Sequence, residues 1–276
     1  MNKIIGVTGA NGRLGTALVQ LGAVPIVLNI TDFSACVDHF REFQYDVVIN
    51  CAAKTDVDWC QKPENTSETI QVNTLGAINI SEAYAGNLIQ LSTDFVFDGK
   101  SGKYSESAQI SGTGVYGFSK ELAESALEYR SDTTVIRTTQ IFGTKNDFLS
   151  RALLKAMNHQ EVMGIDNLYG NPTHVEFLAV AIMSFISLDR IGDIRFLHLA
   201  GTSYLSRYEF LKQAFLKFGL DITLLKKVSY ESLNIPTPRP LLGGFDLSLA
   251  RKLKLPLYSA EGGLEKCFKN WSRYGK

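Results

Sequence analysis

The stretch Ile4–Gly15, with the sequence IIGVTGANGRLG, decides the fold of this chain. Its apolar start predicts a buried strand, and the residues from Leu14 onward continue as a helix. Between them, Gly9 permits a tight turn, Gly12 lets a phosphate approach the backbone, and Gly15 lets the helix pack closely on the strand. The helix N-terminus adds free N–H groups and a positive dipole end. Glycines in this strand–turn–helix context favour dinucleotide binding over an incidental turn.

Downstream of this turn, short apolar runs alternate with helical patterns through the first half of the chain. Continuous apolar strands separated by helices are typical of a parallel sheet that is covered on both faces. We therefore predict an α/β fold with a Rossmann-type doubly wound parallel sheet, which binds ligands at the carboxyl ends of its strands. The predicted strands are 4–7, 25–28, 46–50, 87–91 and 133–136, and the predicted helices are 14–21, 33–43, 66–84 and 119–129.

In the second half of the chain, strand and helix patterns alternate less regularly, because glycines, prolines and turn signals become frequent beyond residue 142. Helical patterns remain at 175–188, 207–218 and 262–271. We predict an NAD(P)-binding Rossmann domain over residues 1–145 and a smaller C-terminal substrate-binding lobe over residues 146–276. A segment near 173–200 is a candidate to return to the first domain.

The bulk composition argues against several classes of function. Lysine plus arginine and aspartate plus glutamate both number 28 among 276 residues, so the formal net charge is zero. This balance gives no general attraction to nucleic acid or to a membrane surface, and neither is expected as a partner. The N-terminal apolar stretch is too short for a signal peptide or a membrane span, which predicts a cytoplasmic protein. Monomer and homodimer both stay open.

The four cysteines and four histidines show no spacing that suits a metal site. The cysteines form no C-x-x-C pair and have no histidine at metal-ligand spacing, so we expect reduced thiols and no bound metal. Asp56 and Asp58 resemble a metal-binding pair, but loop solvation and helix capping explain them more simply.

Catalytic chemistry is indicated by Thr93, at the end of the fourth predicted strand, and by Tyr116 and Lys120 downstream. The i, i+4 spacing puts the phenol and the ammonium on one helical face. A phenol has an unperturbed pKa of about 10, and a nearby ammonium lowers that value toward working pH. Tyr116 can then protonate a carbonyl oxygen as hydride reaches the carbon, Lys120 can also hold the cofactor ribose, and Thr93 can steady the same oxygen.

The Y-x-x-x-K pattern is short enough to arise by chance, and Tyr208–Lys212 is a second copy. Their contexts differ. Tyr116 lies between the fourth and fifth predicted strands, whereas Tyr208 lies in the later lobe, on a helix whose aromatic and aliphatic residues are typical of a core. We therefore assign the catalytic role to Tyr116.

Several longer motifs occur in a fixed order along nearly the whole chain. They are TGANGRLG (8–15), DVVINCAAKTDVD (46–58), VNTLGAIN (72–79), LSTDFVFDG (91–99), VYGFSKELAE (115–124), VIRT (135–138), YGNPT (169–173) and RP (239–240). Together they resemble the extended short-chain dehydrogenase/reductase superfamily and, more narrowly, the dTDP-4-dehydrorhamnose reductase family. The resemblance implies NAD(P)H-dependent reduction of a keto group on a nucleotide-linked deoxysugar, in dTDP-rhamnose and polysaccharide biosynthesis.

The resemblance also implies roles for individual residues. It makes Thr93, Tyr116 and Lys120 the catalytic set, and it gives Asn73 a mainly structural role. The residues expected at the cofactor, besides Tyr116 and Lys120, are Gly9, Asn11, Gly12, Arg13, Leu14, Asn29, Ile30, Ala52, Ala53, Lys54 and Thr55. The residues expected at the nucleotide-sugar substrate are Thr93, Asp94, Gln140 and Arg239, the last because an arginine fork suits a diphosphate.

Phe95 argues against one sister chemistry. Nucleotide-sugar dehydratases of this superfamily usually carry a glutamate directly after the aspartate of the S-T-D motif, and that glutamate moves a proton beside the ketone. A phenyl ring can neither give nor take a proton. Simple ketone reduction, which needs one hydride and one proton, fits the sequence better.

The sequence departs from the family pattern on the cofactor side. The interval between Gly15 and Asn29 is short, and no acidic residue stands where a ribose 2′-hydroxyl is usually bound. Arg13 can instead meet a 2′-phosphate. The sequence therefore favours NADP(H) over NAD(H).

Departures on the substrate side concern the sugar. Gln140 replaces an aromatic residue, Leu168 replaces a glutamine, and Lys54 stands where an aromatic residue or histidine is common. The reaction class is therefore better indicated than the rhamnose substrate. Two alternatives stay open: a non-catalytic regulatory or binding subunit on the same fold, suggested by the short cofactor region, and a nucleotide-sugar epimerase that retains its cofactor.

Overall fold

A computed structural model of the chain describes residues 3–271, which form twelve strands and eleven α-helices. The strands are β1 (Ile5–Thr8), β2 (Val24–Ile26), β3 (Val47–Asn50), β4 (Asn87–Thr93), β5 (Thr133–Thr138), β6 (Ile141–Phe142), β7 (Val162–Ile165), β8 (Tyr169–Gly170), β9 (Thr173–His174), β10 (Phe196–His198), β11 (Leu205–Ser206) and β12 (Leu225–Val228). The helices are α1 (Arg13–Gln20), α2 (Phe33–Glu42), α3 (Val57–Cys60), α4 (Thr66–Ile70), α5 (Gly76–Ala83), α6 (Gly114–Ala126), α7 (Phe148–Met157), α8 (Val175–Ser187), α9 (Arg207–Phe218), α10 (Ser248–Lys252) and α11 (Ala260–Lys269).

The central sheet has six parallel strands in the order β10-β5-β4-β3-β1-β2. The predicted Rossmann-type sheet is therefore confirmed. β2 pairs with one side of β1, and the next strand, β3, pairs with the other side of β1. This reversal opens a crevice at the carboxyl ends of β1 and β3, which is where such sheets bind ligands.

Helices cover both faces of this sheet, because its strands are apolar on both faces. On one face α1 packs with α8, whose side chains Leu178, Ile182 and Phe185 are buried against the sheet. On the other face α2 and α5 bury Phe40 and Ile80 with the apolar side chains of β3 and β4. No helix within residues 3–271 has the length and apolar character needed to cross a membrane.

The segment 173–200 joins the sheet at its edge. Its strand β10 pairs with β5, and its helix α8 packs beside α1. A second cluster of buried side chains lies elsewhere, among α7, α9, α11 and the short pair β7–β12, with Leu153, Phe210, Phe215 and Leu264 at its centre. Tyr208 packs against that cluster. The division of the chain into two domains stays a prediction.

Two helices differ from their predicted form. The helix predicted over 66–84 contains a π-helical turn, Gln71–Leu75, between α4 and α5. The helix predicted from residue 119 begins at Gly114, so that Tyr116 lies within it. Gly114 has a φ of 68°, and Glu121 accepts a hydrogen bond from the Gly112 N–H at 2.6 Å. Tertiary contacts thus start α6 earlier than its apolar pattern indicates.

Candidate active site

The glycine turn after β1 has the geometry of a phosphate cradle. Gly9 has a φ of 62°, and a Cβ there would lie 2.7 Å from the backbone nitrogen of Ala52. A Cβ at Gly15 would lie 2.2 Å from the Gly9 carbonyl oxygen, so both positions exclude larger residues. A Cβ at Gly12 would lie 3.1 Å from the Gly9 carbonyl oxygen and would otherwise point into open space at the N-terminus of α1. The turn therefore fits the pyrophosphate of a dinucleotide.

A ladder of polar side chains supports this turn. The Thr8 hydroxyl donates to Asn50 at 2.6 Å and accepts from the Ala52 N–H at 3.3 Å, while the Asn50 amide donates to Gln90 at 2.8 Å. These contacts tie together the carboxyl ends of β1, β3 and β4. These three side chains were not predicted from the sequence, although polar residues within buried apolar strands are a signal that could have found them.

The remaining residues expected at the cofactor occupy different environments. Asn11 and Arg13 are exposed beside the turn, whereas the Leu14 side chain lies in the core, so that only its backbone can face a phosphate. Asn29 is exposed and accepts hydrogen bonds from Thr31. Ile30 is buried against α5, where its side chain fills the space beside Gly76.

The loop after β3, which contains Ala52, Ala53, Lys54 and Thr55, is held by Asn73. The Asn73 amide accepts from the Lys54 N–H at 2.7 Å and donates to the Lys54 carbonyl at 3.0 Å. It also donates to the Ser119 hydroxyl on α6 at 3.0 Å. The Lys54 ammonium pairs with Glu68 at 2.7 Å. The π-helical turn that carries Asn73 therefore fixes this loop to the helix that carries Tyr116.

Thr93, Tyr116 and Lys120 meet at the carboxyl end of β4. Thr93 is the last residue of that strand, and its hydroxyl donates to the Asp94 carboxylate at 3.3 Å and accepts from the Phe95 N–H at 3.3 Å. Gly117 allows the close approach of α6, because a Cβ there would lie 2.2 Å from the Phe95 carbonyl oxygen. Since only β3 separates β4 from β1 in the sheet, this end lies roughly 10 Å from the glycine turn, a distance that one bound cofactor can span.

Burial dominates the electrostatics of this set. It raises the pKa of Tyr116, the nearby Thr93 hydroxyl acts in the opposite direction, and Asp94 and Cys60 raise the value further. Burial also lowers the pKa of Lys120 to about 8, against the opposing effect of Glu124. The predicted lowering of the Tyr116 pKa by Lys120 is not found, because the Lys120 ammonium donates to the Leu91 carbonyl at 2.6 Å instead.

Asp94 joins the end of β4 to the later part of the chain. Its carboxylate accepts from the Thr139 hydroxyl at 2.6 Å and from the Gly244 N–H at 3.2 Å. Burial raises its pKa, and these hydrogen bonds act against that rise. A Cβ at Gly243 would lie 2.6 Å from the same carboxylate. Asp94 therefore connects the two halves of the chain beside Thr93.

Gln140 lies near Gly170 in a strained conformation. Its φ is 46°, in the left-handed region that residues other than glycine rarely adopt. Its side-chain oxygen is buried and has no hydrogen-bond partner among residues 3–271. Unpaired acceptors and backbone strain of this kind concentrate at functional sites.

Arg239 approaches the catalytic set from the other side. Its guanidinium pairs with Asp58 at 2.7 Å and lies 5.9 Å from the ring centre of Phe95. The Phe95 ring in turn packs edge-on against Tyr116, with centroids 5.4 Å apart. Phe95 therefore separates the phenol from the arginine.

Arg207, the first residue of α9, was not predicted from the sequence to be of interest. Its guanidinium carbon lies 5.2 Å from the ring centre of Phe148, and its buried Nε has no hydrogen-bond partner among residues 3–271. A cation at a helix N-terminus opposes the helix dipole, and this unfavourable placement is the sequence signal that could have drawn attention to it. Within the described part of the chain, no three histidine, cysteine, aspartate or glutamate side chains are grouped as they would be around a metal ion.

One known protein family matches the chain over almost its whole length. Residues 2–272 match the family described as the RmlD substrate binding domain. The chain belongs to this family. The resemblance to dTDP-4-dehydrorhamnose reductases that the motifs predicted is thereby confirmed.

Relatives of this RmlD-family chain are similar over most of their length. The spore coat polysaccharide biosynthesis protein SpsK of Bacillus subtilis is 31% identical over 87% of this chain and 87% of its own. The dTDP-4-dehydrorhamnose reductase of Mycobacterium tuberculosis is 33% identical over 84% of this chain and 81% of its own. The crystal structure of dTDP-4-dehydrorhamnose reductase from Bacillus anthracis in complex with NADP superimposes with a TM-score of 0.90 at 26% identity, covering 98% of this chain and 100% of that one.

Proposed function

We propose that this chain is an NADP(H)-dependent oxidoreductase that reduces the keto group of a dTDP-linked 4-keto-6-deoxy sugar, as a dTDP-4-dehydrorhamnose reductase does. The observation that carries the proposal is the placement of Tyr116 and Lys120 at the end of β4, on the same sheet edge as the glycine turn: the Lys120 ammonium donates to the Leu91 carbonyl at 2.6 Å, and the Tyr116 ring packs against Phe95. The names of the relatives support the substrate class, and the NADP bound to the Bacillus anthracis structure supports the cofactor. The name of SpsK points to polysaccharide biosynthesis.

In this proposal Tyr116 is the proton donor. When bound, NADPH supplies hydride to the carbonyl carbon. The Tyr116 phenol gives its proton to the carbonyl oxygen, and the Thr93 hydroxyl donates a hydrogen bond to the same oxygen. Burial keeps the phenol protonated at neutral pH. A nascent alkoxide is a much stronger base than a phenolate, so the transfer remains favourable despite the raised pKa of Tyr116.

Lys120 has a supporting role in this proposal. Its ammonium has three donors, one of which is used by the Leu91 carbonyl, so two remain for the ribose hydroxyls of the cofactor. The glycine turn would hold the pyrophosphate, and the exposed Arg13 beside it would meet the 2′-phosphate of NADP(H). The acidic residue Asp32 lies near Asn29 in the sequence, but its carboxylate is engaged elsewhere. It caps α2 by accepting a hydrogen bond from the Ala35 N–H at 3.0 Å.

The substrate side of the proposal uses residues from beyond β5. We assign residues 146–276 to a substrate-binding lobe, apart from the segment 173–200, whose β10 and α8 pack with the sheet. The unpaired side-chain oxygen of Gln140 would accept a hydrogen bond from a sugar hydroxyl. Arg239 would contact the diphosphate, and Asp94 would lie beside the sugar.

The test is the oxidation of NADPH by purified protein after addition of dTDP-4-dehydrorhamnose, followed by loss of nicotinamide absorbance. Replacing a general acid typically costs about 10²- to 10⁴-fold in rate, and we expect this loss in kcat for Tyr116→Phe. The control is Tyr208→Phe, because Tyr208 occupies the same position in the second Y-x-x-x-K pattern but packs in the later core.

Two results would replace the proposal with an alternative. Folded protein that binds neither NADPH nor NADH would be a regulatory or binding subunit. Protein that retains NAD through purification, converts the sugar and shows no net cofactor oxidation would be an epimerase. Equal activity of Tyr116→Phe and the wild-type protein would remove Tyr116 from the reaction.

A further inference from the structure

The first turn of α6 carries Tyr116, and it is capped from a distant segment rather than by its own N-cap residue. Within residues 3–271, the side chain of the N-cap residue Thr113 accepts from no N–H of the helix, and its hydroxyl instead donates to the Phe97 carbonyl at 2.8 Å. The first N–H groups of a helix have no acceptor within that helix, so a first turn without a cap frays. Because Tyr116 is the third residue of α6, fraying would displace its phenol.

Gln61 supplies the cap across 54 residues of sequence. Its side-chain oxygen Oε1 accepts from the N–H of Val115, the second residue of α6, at 3.1 Å. A Cβ at Gly114 would lie 2.9 Å from this same oxygen and 3.1 Å from Cγ of Pro238. The glycine at the start of α6 therefore leaves the space that the Gln61 amide occupies.

The short helix α3 presents Gln61 from a fixed position, because Gln61 follows its last residue directly. The Asp56 carboxylate accepts from the Trp59 N–H at 3.0 Å, and the Asn65 amide donates to the Trp59 carbonyl at 2.9 Å. The Cys60 side chain is fully buried. These contacts hold α3 at both ends, so that the Gln61 side chain reaches α6 from an ordered support.

The same short helix also contacts the segment that we assign to the substrate. Asp58 on α3 pairs with the Arg239 guanidinium at 2.7 Å. Pro238, the neighbour of Arg239, lies against Gly114 at the start of α6. The Gln61 amide therefore lies where the substrate side of the chain meets the helix that carries Tyr116.

We propose that Gln61 is a positioning residue for Tyr116, which fixes the phenol at the end of β4 by capping the first turn of α6. This inference rests on the proposed function for the role of Tyr116 as proton donor. A catalytic group that is displaced by about 1 Å can lose about 100-fold in rate while the ligands still bind. The loss of the cap should therefore lower kcat and leave binding nearly unchanged.

The kinetic experiment compares three variants in the NADPH-dependent reduction of dTDP-4-dehydrorhamnose. Gln61→Met keeps the length of the side chain but removes the acceptor, and we expect kcat to fall about 10- to 100-fold with KM and NADPH affinity close to the wild-type values. Gln61→Glu keeps an acceptor oxygen and adds a negative charge that suits a helix N-terminus, so it should recover most of the loss. The matched control Gln160→Met changes an exposed glutamine and should behave as the wild-type protein.

A second measurement follows the cap without the reaction. Hydrogen exchange, read by mass spectrometry on the peptide that covers residues 112–120, should be about 5- to 10-fold faster in Gln61→Met, since a lost cap typically destabilises a helix terminus by that factor. Exchange in α2 should stay unchanged, which separates fraying of α6 from general loss of stability. Gln61→Glu should restore the wild-type exchange in α6.

The outcomes separate this inference from the proposed function. Faster exchange in α6 together with an unchanged kcat would overturn the positioning role, and unchanged exchange in Gln61→Met would overturn the cap itself. An equal loss of kcat in Gln61→Glu and Gln61→Met would also contradict the inference, because the first variant keeps the acceptor. Exchange in α6 that depends on Gln61, in a wild-type protein that does not reduce the dTDP sugar, would uphold the cap and reject the reductase.

Discussion

Lys120 shows how burial acts on a single residue of the proposed site. The side chain is only 3% exposed, and its one hydrogen-bond partner among residues 3–271 is the neutral Leu91 carbonyl. Its pKa therefore falls to about 8 in the folded protein, below the usual value of a lysine in the unfolded chain. The unfolded chain binds more protons between these two values, so stability should rise as pH increases through that interval.

We predict that the stability of Lys120→Met relative to the wild-type protein depends on pH. Methionine avoids burying a cation, so its advantage is greatest below pH 8 and shrinks as pH rises and Lys120 loses its proton. The pKa shift corresponds to a change of about 2 to 3 kcal/mol in this difference between pH 7 and pH 10. Urea denaturation at several pH values measures it.

The control for this prediction is Lys155→Met, which replaces an exposed lysine on α7. Its difference in stability from the wild-type protein should vary little over the same pH range. A difference for Lys120→Met that is equally independent of pH would show that Lys120 is hydrated in the folded protein.

The π-helical turn between α4 and α5 shows how one element can position others. It brings Asn73 against the backbone of Lys54 and the hydroxyl of Ser119, which lie 19 and 46 residues away in the sequence. Interruptions of this kind are frequent at functional sites, because they redirect a side chain that a regular helix would present elsewhere. Here the turn connects the loop after β3 with α6.

We predict that Asn73→Ala destabilises the chain by about 2 to 4 kcal/mol, because three hydrogen bonds are lost and buried backbone groups are left unpaired. Since the loop it holds is the one assigned to the cofactor, NADPH affinity should fall as well. Denaturation and fluorescence titration measure the two effects. The exposed Asn158→Ala, which loses one bond to the Leu154 carbonyl, is the matched control. If Asn73→Ala left both the stability and the NADPH affinity unchanged, Asn73 would not hold the loop after β3 to α6 as described.

At the scale of the whole molecule, a buried ion pair joins α6 to β5, and its arginine also contacts β10. Arg137 on β5 is 2% exposed, and its partner Glu124 on α6 is 1% exposed. The same guanidinium donates to the Glu106 carbonyl at 3.2 Å and lies 4.4 Å from the ring centre of Phe196 on β10. The pair therefore fixes the helix of Tyr116 to the strand at the far edge of the sheet.

We predict that Glu124→Gln destabilises the chain by about 3 to 5 kcal/mol, because it leaves an uncompensated buried cation. The double variant Glu124→Leu/Arg137→Met should recover most of that loss, because it removes both charges together. Equilibrium denaturation of the wild-type protein and the two variants measures this. A double variant no more stable than Glu124→Gln would show that the pair has no favourable apolar replacement.

The sequence by itself determined the parts of the protein that depend on neighbouring residues. The glycine turn follows from sterics within a few residues, since Gly9 needs a positive φ and Gly15 needs contact with Gly9. The strand and helix order follows from hydrophobic periodicity, and Tyr116 and Lys120 share a helical face because of their spacing. These features require no knowledge of distant contacts.

Only the tertiary structure decided the environments of those side chains. The pKa of Tyr116 rises and the ammonium of Lys120 turns to Leu91 because burial depends on residues far away in sequence. The link from Asp94 to Gly244 spans 150 residues, and β10 reaches β5 across some sixty. The unpaired donor of Arg207 likewise becomes visible only when every neighbour is in place. Local steric constraints depend on residues that are adjacent in the sequence, whereas desolvation and charge balance depend on how the whole chain packs.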